Sequence, residues 1–140
     1  MAIPLLAESP LALPDSIGPY RARDYFELPD SPRCELLFGR IYVSPSPNPR
    51  HQLIAFLLCR ELYAIAQKAG GRAFVAPLDV RLADHSVVQP DVIYVCGERS
   101  SIVDEKRVAG APDLLIEILS PSTARRDRGE KLALYAESGV

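Results

Sequence analysis

Cysteine, net charge and long apolar runs are all in short supply in this chain, and each shortage removes a class of protein. The three cysteines, Cys34, Cys59 and Cys96, are scattered, odd in number and never spaced as C-x-x-C, which argues against a disulfide framework and against a zinc site. They read as reduced packing residues. No run approaches the roughly 20 apolar residues that a membrane span requires. The first residues lack the basic segment, apolar segment and cleavage site of a secretory signal, so a cytoplasmic location is expected. A net charge of -2, from 16 basic and 18 acidic residues, gives no global attraction to nucleic acid, and any such binding must come from a local patch. Internal repeats, low-complexity tracts, a reading helix and an aromatic stacking motif are absent as well, so no base sequence is legible as a target.

What is present suits one soluble α/β domain. At 140 residues, with 48% hydrophobic and 24% charged, the chain is long enough for a single core. Six of its 13 prolines (Pro4, Pro10, Pro14, Pro19, Pro29, Pro32) fall in the first 32 residues, which marks 1–30 as a proline-rich arm around at most a short helix near 20–28. The domain proper is expected over 31–140, packed from about Cys34. Residues 35–43 read as a hairpin turning at Gly39. Asn48 before Pro49 is an N-cap and first-turn pair, after which Leu53, Ile54, Leu57, Leu58, Leu62 and Ile65 recur at helical spacing until Gly70-Gly71. Extended runs follow at 73–82, 88–96 and 113–119, with an irregular loop over 97–110, and a closing helix at 126–138 stopped by Gly139. The order hairpin, helix, three strands, helix predicts one mixed β-sheet flanked by helices.

Two of those apolar runs each carry one carboxylate out of place: Asp91 after Pro90, and Glu117 between Ile116 and Ile118. A carboxylate among aliphatic side chains costs several kcal/mol of desolvation unless it is protonated, paired or bound to a cation. Adjacent strands lie about 4.8 Å apart, so in suitable register both side chains meet at one point. Two such carboxylates repel unless a divalent cation sits between them, and oxygen-only ligation favours Mg²⁺ or Mn²⁺. That is equipment for hydrolysing phosphate esters. Other readings stay open on the residues alone. Asp91 can simply begin a strand at a turn, Glu117 can face water from an edge strand, and Lys131, four residues after Asp127, can be an ordinary helix-surface pair.

Pro90-Asp91 followed by Glu117 in an apolar strand resembles the signature of the PD-(D/E)XK nucleases, the restriction-endonuclease-like fold. More closely, Glu35-Leu36-Leu37-Phe38-Gly39-Arg40, Val88-Gln89-Pro90-Asp91, the stretch Pro112 to Thr123 and the run Asp127 to Tyr135 are similar to the Uma-two family of restriction endonucleases, in order over 35–140. The resemblance implies metal binding by Asp91 and Glu117, with Glu35 as a third carboxylate, and a Mg²⁺-dependent cleavage of DNA for which Mn²⁺ substitutes. The lysine expected two residues after the glutamate is Leu119 here, and the role passes to Lys131 on the following helix. Relatives would continue past Val140 into further structure.

The catalytic set is therefore Asp91, Glu117 and Lys131, with His51 and Asp127 as subsidiary candidates and Arg125, Arg126 and Arg128 as a phosphate-binding patch. DNA is the expected partner, and a homodimer is expected for cutting both strands. Two rivals share these residues. One is a non-catalytic module that keeps the fold and binds nucleic acid or protein, favoured by Leu119 and the net negative charge. The other is a hydrolase of a smaller phosphate ester.

Overall fold

The structure, a computed structural model, describes residues 13–140. The first twelve residues of the expected arm lie outside the described residues. Packing begins ahead of Cys34: helix α1 (Ala22–Phe26) buries Ala22 and Tyr25 against Leu36 and Val87. Before it, Gly18 donates to Phe38 O at 2.7 Å and Tyr20 to Gly39 O at 3.1 Å, laying this segment across the turn between β1 (Cys34–Leu37) and β2 (Arg40–Val43). That turn takes positive φ at both Phe38 and Gly39, 46° and 76°, the backbone that a two-residue hairpin demands. Gly18 meets Gly39 so closely that a Cβ on Gly18 would stand 2.4 Å from the Gly39 carbonyl oxygen.

Helix α2 (Pro49–Ala69) starts where Asn48 accepts from His51 N at 2.9 Å and ends at Gly70, φ 73°. It packs on β3 (Arg72–Val75) and β6 (Val92–Val95) through a narrow strip that buries Ala55 and Ala66. Leu53, Leu57 and Ile65 of the expected apolar stripe are exposed, as are Phe56 and Tyr63. The helix is apolar on more than one face, and the sheet covers one of them.

The strands form two hydrogen-bonded sheets where a single sheet was expected. One runs β2-β1-β5-β4-β7 and is mixed, with β4 (Val80–Ala83) antiparallel to β5 (Ser86–Val88) and parallel to β7 (Val108–Ala109). The other runs β3-β6-β8, with β8 (Leu114–Ile116). Prolines mark both crossings. Pro77 splits the 73–82 run into β3 and β4, and Pro90 splits the 88–96 run into β5 and β6, because neither residue has an N–H to extend a ladder. The 97–110 loop contains a 3₁₀ helix at Gly97–Ile102.

The closing helix comprises α3 (Ala124–Arg126), one π turn (Asp127–Lys131) and α4 (Leu132–Ser138), which ends at Gly139, φ 81°. It buries Leu134 and Tyr135 against Leu37, Val88, Ile93 and Val95, so one core joins the two sheets to this helix. Among the described residues no helix is long and apolar enough to cross a membrane.

Two glycine substitutions test this packing with opposite signs. Gly18→Ala drives a methyl into backbone that has no rotamer to move, and a loss of roughly 1–3 kcal/mol is expected in thermal or urea unfolding. Gly129→Ala, with open space around the added methyl, is expected to be neutral or to gain up to about 1 kcal/mol of helix propensity.

Candidate active site

Strands β6 and β8 are antiparallel neighbours, with Val92 opposite Ile116. Asp91 lies one residue before β6 and Glu117 one residue after β8, so the same register sets them across from each other where the ladder ends. The end of the ladder is what frees them: Asp91 Oδ2 accepts from Ile118 N at 2.6 Å, a side chain replacing the next backbone bond. Asp91 Oδ1 lies 3.1 Å from His51 Nε2, which the first turn of α2 delivers. Asp91 and Glu117 therefore stand at opposed register positions and line one cleft, although neither lies inside a strand.

Beneath them lies a buried ion cluster. The Lys131 ammonium, its side chain only 3% exposed, stands 2.9 Å from Glu35 Oε1 and 2.5 Å from Glu117 Oε1, with Asp127 Oδ1 at 4.0 Å. Glu35, from β1, also accepts from Gln89 N at 2.7 Å. The Tyr135 hydroxyl donates to the same Oε1 of Glu117. Lys131 reaches this place because the π turn widens the helix at Asp127–Lys131, a device that recurs at functional sites. Lys131 is thus no surface residue, and Leu119, where the superfamily lysine would stand, is exposed and takes no part in the cleft.

These groups floor a cleft of about 260 Å³. Its rim carries Arg33, whose Nε donates to Gln89 Oε1 at 3.0 Å, and Arg126, stacked 4.2 Å over the Tyr42 ring. Of the expected phosphate-binding trio only Arg126 lines the cleft; Arg125 and Arg128 are exposed outside it. Tyr135, Arg33, Tyr42 and the amides of Gln89 and Ile118 went unread in the sequence. Tyr135 alone left a signal there, one helical turn beyond Lys131.

Burial pushes the Glu117 carboxyl up to about 7, against the pull of Lys131. Burial also raises Asp127. Burial by itself would lower the Lys131 ammonium, but Glu35 and Glu117 reverse this and hold it above the ordinary lysine value. Tyr135 is raised far above the phenol range by burial and by Glu117, so it stays a donor.

The described residues hold no ready cluster of three or more His, Cys, Asp or Glu ligands. What they offer is two carboxylates, Asp91 and Glu117, lining one cleft beside the His51 imidazole, with Glu35 and Asp127 adding negative charge around the buried ammonium. Mg²⁺ is commonly held by one or two carboxylates with water completing its shell, and the donor set fits that habit.

The chain is thus an α/β domain of mixed sheets and helices in which Asp91, Glu117 and a buried lysine line one cleft. The chain belongs to the Uma2 family, described as "Putative restriction endonuclease", whose sequence model matches residues 22–140. It is similar to a solved structure described as a putative nuclease belonging to DUF820 from Anabaena variabilis, at 25% identity and a TM-score of 0.65. That match covers 78% of this chain and 63% of the other, so the chain spans less than two thirds of that protein's length. No curated protein matches.

The raised Glu117 value predicts a pH dependence for metal-free protein. The folded state holds this proton more tightly than the ordinary carboxyl value of 4.5 allows. The resulting stability is fully present below about pH 4.5 and is lost as pH rises through 7, up to about 3 kcal/mol in all. Unfolding measured in chelator is expected to show this decline in the wild type and not in Glu117→Gln.

Proposed function

We propose that the cleft is the catalytic centre of a Mg²⁺-dependent endonuclease acting on DNA, with Mn²⁺ as a substitute ion. The observation that carries this reading is the buried Lys131, brought from the last helix to the carboxylate pair in place of the missing strand lysine. Asp91 and Glu117 would hold the ion, Asp91 being oriented by Ile118 N and His51. When bound, such an ion lowers the pKa of water and neutralises charge on the phosphoryl group.

The protein's own groups account for the rest. Glu35 is engaged with the ammonium and the Gln89 amide, so its part in this scheme is to position Lys131. Lys131 orients the attacking water and stabilises negative charge on phosphorus. Arg33 and Arg126 at the rim hold the phosphodiester backbone. Water adds to phosphorus through its oxygen, one P–O ester bond breaks, and the proton the water gives up ends on the leaving oxygen. Cutting both strands takes two copies of the chain.

Metal titration calorimetry and supercoiled-plasmid nicking, run on the same samples, test this assignment. Glu117→Ala is expected to lose Mn²⁺ binding and nicking together. Lys131→Met is expected to keep Mn²⁺ binding and lose nicking by about 10²–10³-fold, the usual weight of one electrostatic group in the transition state. Unchanged Mn²⁺ affinity in Glu117→Ala would refute the site. A wild type that binds metal and DNA without nicking would establish the non-catalytic module instead, the reading that Leu119 favours.

A further inference from the structure

A second groove of about 510 Å³ runs beside the catalytic cleft along α2. The two share Arg33, Pro47, His51 and Asp91 as a common wall. Beyond that wall the groove is lined by Phe56, Tyr63, Val75 and Arg60. Phe56 is 62% exposed and Tyr63 56%. Seven residues separate them, so they lie about 10 Å apart along the helix axis on the same side. Among the described residues Asp91 is the sole carboxylate in the lining, with the guanidinium groups of Arg33 and Arg60, the latter paired at 2.7 Å with Glu61 outside the lining.

We infer that this groove is a base-stacking subsite, which takes an unpaired nucleotide of the substrate strand next to the phosphodiester held at Asp91 and Glu117. The inference rests on the nuclease reading and adds the substrate class: nucleic acid whose bases are out of the duplex stack at the cutting point. Aromatic faces flanked by arginine are the equipment of single-strand binding, because every base has a π-face and the backbone between bases carries charge. A duplex buries those faces in its own stack, so only an unpaired or extruded base can use Phe56 and Tyr63. Continuity with the cleft fixes the order of contacts. A strand whose phosphate sits against Arg33 enters the groove past His51, and its neighbouring base reaches the rings. The volume lies within the usual range of small-ligand sites.

The test uses the full chain and a single-stranded oligonucleotide carrying one fluorescent aminopurine, compared with the same oligonucleotide in duplex. Wild type is expected to bind the single strand more tightly than the duplex and to quench the probe. The double variant Phe56→Ala/Tyr63→Ala, altered only at exposed side chains, is expected to bind it about 5- to 100-fold more weakly, without quenching and with Mn²⁺ affinity unchanged. Equal affinity and quenching in the double variant would overturn the subsite. So would a sedimentation shift from dimer to monomer, which would assign the groove to a second copy of the chain. The nuclease reading fails separately: a wild type that stacks the probe but nicks no plasmid keeps the subsite and removes the catalysis.

Discussion

One buried ammonium organises this molecule. Lys131 sits between Glu35 and Glu117, residues far apart in the chain, one within β1 of the first sheet and the other just past the end of β8 in the second. Each of these charges would cost several kcal/mol to bury alone, and removing one partner of such a group leaves the others uncompensated. The hairpin, the strand ends and the last helix are therefore tied to one another by three side chains, two of which, Glu117 and Lys131, the proposed chemistry would use. Packing follows the same line, since Leu134 and Tyr135 on the helix that delivers the lysine complete the main hydrophobic core.

The backbone devices around this cluster are irregularities in otherwise regular elements. Pro90 ends one sheet and starts another, which leaves Asp91 outside any ladder and free to accept from Ile118 N. Strand β8 stops one residue short of Glu117. The helix opens into a π turn where Asp127 and Lys131 must face inward. Regular geometry at any of these three places would turn the corresponding side chain elsewhere, so local regularity gives way where the site is built.

Helix α2 serves two surfaces. Its buried strip of small residues lets it lie close on β3 and β6, while its first turn presents His51 to Asp91. The rings of Phe56 and Tyr63 line the groove beside that cleft. A helix apolar on several faces with only one covered is an arrangement that needs an occupant on the others, and the proposed nucleotide base would meet that need on one side.

Much of this architecture was legible in the residues. Asn48-Pro49, Gly70 and Gly139 mark helix ends through backbone chemistry that acts within a few residues, and Gly39 does the same for the hairpin. The displaced carboxylates Asp91 and Glu117 stood out because desolvation makes them costly wherever the chain folds. Local rules could not show that the 73–82 and 88–96 runs each split between two sheets, because a strand's partners are set by the rest of the chain. Nor could they separate Lys131 from a surface lysine, or reveal that Tyr135 and the Gln89 and Ile118 amides complete the site. The sequence by itself determined where elements begin and end and which charges needed a partner, since those are local and energetic demands. Which partner each charge found was decided only by tertiary structure, because ion pairing depends on distance in space and burial depends on what packs above.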